Sequence, residues 1–282
     1  MPRKRLRSNV ELHIPAGAAI LGSQDPADYP CETRNAGELL HRSRSLIVAE
    51  DASNIAITGH GLIDGRGTPE AFPAVRPGDE LERPMLMRFL NCSHVLLRDV
   101  RLRNSASCGC HFIHCDQVCV EGVCIESRLN RNNDGLDLDG CRDVFISNCR
   151  LSTGDDALCP KSAVRATENV VVTNCVVSSN TAAFKIGTSS AGGFRDITLS
   201  NCVFRDCRMG ASVSRFIRRM NEYTERYFSL SHDRHEQFKF WKKVMQSTQS
   251  FNAHALNGNT YKIRKLLYDR FPIINQYGIT GM

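Results

Sequence analysis

The stretch Gly140-Cys141-Arg142-Asp143-Val144-Phe145-Ile146-Ser147-Asn148-Cys149 decides the fold, because its pattern returns along the 282-residue chain. Residues 91–97, 114–120, 167–172 and 193–199 repeat its first half, in which polar or small residues precede alternating apolar ones. Their central apolar residues, Val95, Val118, Val144, Val170 and Ile197, follow one another at 23, 26, 26 and 27 residues. Each unit continues into a second short run through Asp99, Gly122, Asn148, Asn174 or Asn201. Alternation over a few positions predicts short strands, and the Asn, Asp and Gly between them predict turns. A period of roughly 20–50 residues marks a solenoid. The expected fold is all-β: a right-handed parallel β-helix with one coil per unit, followed by a short α-helical C-terminal tail.

Successive coils of such a helix would stack the Asn side chains of Ser147-Asn148-Cys149, Thr173-Asn174-Cys175 and Ser200-Asn201-Cys202 at one turn, with the cysteines lining the core. Thirteen cysteines, an odd number in a long chain, are expected as buried free thiols rather than a disulfide framework. Cys108-Gly109-Cys110 lacks the spacing of a zinc knuckle despite the nearby His111 and His114, and neither a metal nor another cofactor is expected. Segments 9–14, 54–59 and 61–65 extend the scheme toward the N-terminus, with Gly59-His60-Gly61 as an ordinary turn. Residues 66–84, rich in Gly, Pro and charge, read as a loop excursion of the kind that borders a binding face.

The net charge of +6 is unevenly placed: residues 1–214 carry 24 basic against 25 acidic side chains, and residues 215–282 carry 12 against 5. All cysteines precede residue 208, whereas 12 of the 20 aromatics follow residue 214. A domain boundary is expected near Ser214, with 1–214 as the β-helix and 215–282 as an unrelated basic tail. Phe216, Met220, Tyr223 and Tyr227 have helical spacing, and residues 253–282 resemble one ankyrin repeat and the start of another. A protein partner is conceivable through this tail; no nucleic-acid motif is visible. No stretch approaches the roughly twenty apolar residues that span a bilayer, and no signal-peptide apolar region follows the basic N-terminus.

The chemistry lies in the acids. Asp134-Gly135-Leu136-Asp137-Leu138 and Asp156-Ala157-Leu158-Cys159-Pro160 occupy equivalent places 22 residues apart, and Ala182-Ala183-Phe184-Lys185-Ile186 follows 26 residues later. Parallel strands lie about 4.8 Å apart, so Asp134, Asp156 and the adjoining Asp155 are expected to meet on one surface. Carboxylates so close raise at least one pKa, which suits one group to donate a proton and others to activate water. Asp137 and Asp139 are read as turn or solvent-facing acids.

At these residues the chain resembles glycoside hydrolase family 28, the polygalacturonases and related pectin-degrading enzymes. Asn133-Asp134-Gly135 and Ser152-Thr153-Gly154-Asp155-Asp156-Ala157-Leu158 are similar to its paired Asn-x-Asp and Gly-Asp-Asp motifs, and similar flanking segments extend the resemblance over residues 5–213. It implies hydrolysis of α-1,4 links in polygalacturonate or a related pectic polysaccharide, with inversion at the anomeric carbon. Asp155 would be the general acid, Asp134 and Asp156 would position the attacking water, and Asn133 and Lys185 would bind substrate.

Two family features are missing. The Gly-His-Gly segment falls at Thr181-Ala182-Ala183, without its histidine, and Lys185 is read as bringing positive charge in its stead. The repeat ends near Ser214 before the family's Arg-x-Lys pair can be placed, and Arg215-Phe216-Ile217-Arg218 is no substitute. With coils also missing at both ends, the rival expectation is an inactive β-helix that binds carbohydrate or a protein. A pectate lyase, which would need calcium and an arginine base, fits the Gly-Asp-Asp context poorly.

Overall fold

The computed structural model describes residues 3–31, 44–74 and 83–213. The chain divides into two compact units, Met1–Arg218 and Arg219–Met282. The expected helical and ankyrin-like tail at 215–282 lies outside the described residues.

Within the first unit, every coil contributes one strand to each of three faces, and all pairings are parallel. The first face stacks Lys4–Leu6, Ser45–Glu50, Met85–Leu90, Cys110–Ile113, Leu136–Asp139 and Leu158–Lys161. The second is a 7-stranded sheet from Val10–His13 through Ser93–Arg98 and Arg142–Ser147 to Phe194–Ser200. The third stacks Ala19–Leu21, Leu62–Asp64, Arg101–Arg103, Cys124–Ser127 and Arg150–Thr153. Val176–Ile186 turns the corner, pairing with Arg150–Thr153 at its start and with Leu158 near its end. It thereby joins the first and third faces into one 13-stranded sheet, and Val203–Val213 pairs alongside it. Among the described residues the only helix is the short 3-10 turn Pro26–Asp28.

The repeat maps directly onto this parallel β-helix. Val118, Val144, Val170 and Ile197 pair in register on the second face, and the alternation that reads outward-outward-inward in Arg142–Ser147 buries Val144 and Ile146. Each fully buried aliphatic side chain contributes about 1.5–3 kcal/mol. Phe89 and Phe112 stack at 4.9 Å on the first face.

The corners explain the polar residues of the repeat. Asn148, Asn174 and Asn201 all have positive φ, near 50–57°, a conformation that short polar side chains tolerate better than others. Asn174 Nδ2 donates to Asn148 Oδ1 at 3.4 Å, and Asn201 Nδ2 donates to Asn174 Oδ1 at 2.6 Å, forming the expected ladder. The following cysteine caps the same turn: Cys149, Cys175 and Cys202 donate their thiols to the carbonyls of Ser147, Thr173 and Ser200, each at 3.2 Å. All thirteen cysteines are free thiols. Their repetition thus has a packing cause, a small group that fits inside the corner and satisfies its carbonyl.

Asn174→Ala should destabilise the first unit by about 2 kcal/mol, since it removes the short polar side chain that tolerates positive φ, together with two ladder bonds. Asn174→Gly should cost less because glycine keeps the turn. Urea unfolding midpoints test the order; equal losses would show that the side-chain ladder, not the backbone conformation, carries the effect.

Candidate active site

The acids converge at the corner between the third and first faces. Gly135 N–H donates to Asp156 O at 2.9 Å, so Asp134 and Asp156 leave the backbone one coil apart. Gly135 permits this approach, because a Cβ there would lie 2.4 Å from the Ala157 carbonyl oxygen. The Asp155 carbonyl is held by the hydroxyls of Thr153 at 2.6 Å and Ser179 at 2.7 Å, which fixes the turn that presents both neighbouring carboxylates.

Asp156 is nearly enclosed by donors. Its Oδ1 lies 3.0 Å from the Thr181 hydroxyl and 3.3 Å from the Ala182 N–H, and its Oδ2 lies 2.6 Å from Lys185 Nζ. Thr181 Oγ1 is also 3.1 Å from Asp155 Oδ1, so its single proton bridges the two carboxylates. Burial works against the Lys185 charge, but the Asp156 carboxylate outweighs it and holds the ammonium pKa above its ordinary value. Lys185 therefore reaches the acids and spends its charge on Asp156.

Asp134 is electrostatically opposite. Burial pushes its carboxyl well above the ordinary range, and Asp137, Asp155 and Asp156 push the same way, with Lys161 opposing. Lys161 Nζ lies 4.0 Å from Asp134 Oδ2 and 3.5 Å from Asp137 Oδ1. Cys108, Asp134 and Asp137 offer ligand atoms within 4.8 Å of one another, a grouping that could hold a cation. The Lys161 ammonium already supplies positive charge there, so the acids need no metal for neutralisation.

Three further residues of the motif region are buried. Asn133 does not face solvent: it is buried, its amide donates to Ser105 O at 2.6 Å, and its oxygen accepts from Asn130 N–H at 2.9 Å. It holds the loop that carries Asp134. Asp137 and Asp139 do not face solvent; both are fully buried, because the first face is enclosed on both sides. Asp139 Oδ1 accepts from Ala163 N–H at 2.8 Å and braces the next corner.

Other residues at the corner carry little individual signal in the sequence. Thr181 and Lys161 look like ordinary strand residues, and only their register with the acids marks them. Arg83, at the end of the loop excursion, donates to Ala106 O at 2.9 Å, Arg131 O at 2.6 Å and Asn132 Oδ1 at 2.7 Å. Asn130 Nδ2 reaches back to Phe72 O at 2.9 Å. The excursion is thus tied to the loop that delivers Asp134.

The fold and the site together define a parallel β-helix with three carboxylates gathered at one corner. The family profile described as glycosyl hydrolases family 28 matches residues 31–216, and the chain belongs to that family. A probable polygalacturonase of Vitis vinifera is 24% identical over 273 residues, covering 89% of this chain and 54% of that protein. An exo-poly-alpha-D-galacturonosidase of Dickeya chrysanthemi is 25% identical over 202 residues, covering 54% of this chain and 33% of its own length. The chain thus spans about half or less of the length of these relatives. The crystal structure of an exopolygalacturonase from Thermotoga maritima superposes with a TM-score of 0.66 at 25% identity, covering 75% of this chain and 58% of that one.

Because the folded-state pKa of Asp134 is raised, the native state binds a proton more tightly than the unfolded chain. Its contribution to stability is then greatest below the ordinary carboxylate pKa and is lost as pH rises toward the folded value. Asp134→Asn should remove that slope, leaving the variant more stable than the parent near neutral pH and progressively less so toward about pH 4. Urea titrations across this range check it, and a pH-independent difference would contradict the assignment.

Proposed function

We propose that this chain hydrolyses glycosidic bonds in pectic polysaccharide by a polygalacturonase-type inverting mechanism. The observation that carries the proposal is the single corner at which Thr181 links Asp155 to Asp156 while Asp134 emerges one coil away. Family membership and relatives named as polygalacturonases point to the same substrate class.

In this mechanism Asp155, the only one of the three not classed as buried, protonates the leaving glycosidic oxygen. Asp156, held by Lys185, Thr181 and the Ala182 N–H, takes the proton of the attacking water. Asp134 shares the water and, with its raised pKa, limits the negative charge at the site. Inversion requires carboxyl groups about 6.5–9.5 Å apart; the Thr181 hydroxyl, 3.1 Å from Asp155 Oδ1 and 3.0 Å from Asp156 Oδ1, keeps those two oxygens closer than that, so the wider gap for water falls to Asp134 and the outer carboxylate oxygens. Thr181 and Lys185 are positioning residues. In the same reading the coil is right-handed, the sense that parallel crossovers favour.

Asp155→Asn should lower reducing-end release from polygalacturonate by about a hundredfold or more, the usual worth of a general acid. Folded parent protein that releases no reducing ends would sink the proposal, and ultraviolet-absorbing unsaturated ends would replace it with a lyase. Proton NMR of the first-formed anomer tests inversion. Lys185→Met should lower kcat about tenfold with little change in KM, as expected for loss of a charge-assisted contact to the base; Lys185→Arg should recover part of it.

A further inference from the structure

Outside the catalytic corner, the third face carries a groove of about 540 Å³ lined by Arg103, Arg128, Arg150 and Arg205, with Glu126 and Asp206 as its acids. Parallel register builds it: Arg101, Cys124 and Arg150 pair in one outward column, and Arg103, Glu126, Ser152 and Ser178 pair in the next. Arg103 is neutralised by Glu126 at 3.0 Å. Arg128 contacts only neutral oxygens, including Ser152 Oγ at 2.9 Å, and among the described residues Arg150 and Arg205 form no ion pair. Burial and Glu126 push the Cys124 thiol pKa up, while Arg101, Arg150 and Arg103 all pull it down, so three guanidinium groups converge on its surroundings.

We infer that this groove binds the carboxylates of an acidic polysaccharide, extending the contact of a uronate polymer beyond the catalytic corner. The inference takes its saccharide class from the proposed function. Arg101 and Arg150 stand two coils, roughly 9.6 Å, apart in one column, a spacing that suits a linear chain with regularly placed carboxylates, which arginine holds by paired N–H bonds. Asn104, Ser152 and Ser178 in the same lining offer partners for sugar hydroxyls. The groove lies on the outer side of the strands that brace the site: Arg128 is bonded to Ser152 and Ser178, whose inward neighbours Thr153 and Ser179 hold the Asp155 carbonyl.

The test measures binding of galacturonate oligomers to the full chain in the Asp155→Asn background by calorimetry, with neutral methyl-esterified oligomers and duplex DNA as comparison probes. Arg150→Gln with Arg205→Gln should weaken acidic-oligomer binding about tenfold, as expected for loss of two exposed charged contacts, and reduce its salt dependence. Replacing both by lysine should restore part of the affinity. No binding by the parent, unchanged affinity in the double Gln variant, or an equal loss for the esterified oligomer would overturn the inference; DNA bound as tightly as the acidic oligomer would overturn its saccharide class. Reducing-end release by the unsubstituted chain reads the proposed function separately: absent release with arginine-dependent binding counts against hydrolysis and for the groove, and the converse pattern does the reverse.

Discussion

Parallel register between successive coils is the constraint on which the rest of the structure depends. Because each strand hydrogen-bonds to the equivalent strand one coil away, every side chain stands over its counterpart at a spacing of about 4.8 Å. For apolar residues this is favourable, as in the Val118, Val144, Val170 and Ile197 stack. For charged residues the same geometry stacks like on like unless the sequence breaks the column.

The candidate site is a place where the column was not broken by neutral residues. Asp134 over Asp156, with Asp155 adjoining and Asp137 buried beneath, would be a costly concentration of charge. Two lysines on later coils offset it from different sides: Lys161 lies near Asp134 and Asp137, and Lys185 pairs with Asp156. The division has a chemical consequence. Asp156, with an ammonium at 2.6 Å and two further donors, is held as an acceptor, whereas Asp134, with a lysine only at 4.0 Å, keeps a raised pKa. Two carboxyls of one corner therefore sit in unlike surroundings, one paired with an ammonium and the other buried among acids.

Much of this was legible in the residues themselves. The Val95-to-Ile197 period predicts the coil, and Asn148, Asn174 and Asn201 predict the corner, because both depend only on spacing and on the backbone preferences of Asn. The meeting of Asp134 with Asp155 and Asp156 follows from the same period. What spacing does not convey is which way a side chain points on a face enclosed from both sides. Leu136–Asp139 and Leu158–Lys161 are buried at every position, so the alternation that marks Val144 as inward and Phe145 as outward on the second face carries no information there. Asp137 and Asp139 consequently read as solvent-facing, and Lys161 passes unnoticed. The burial of Asn133 is hidden for a different reason: its place in the Asn133-Asp134-Gly135 motif does not show that its amide closes the loop.

The segment Thr181-Ala182-Ala183 shows how the same architecture can hold its acids without the histidine expected there by family resemblance. A small residue at 182 brings the backbone N–H to 3.3 Å from Asp156 Oδ1, and the Thr181 hydroxyl reaches both neighbouring carboxylates from the same strand. Lys185, further along that strand, then completes the set from the other oxygen. Backbone amide and hydroxyl do not titrate near neutrality, and a paired lysine does not lose its charge there, whereas an imidazole would change state. The donors that position Asp156 thus keep their state over a range in which a histidine-based corner would switch, and the raised carboxyl of Asp134 couples this site to acidity.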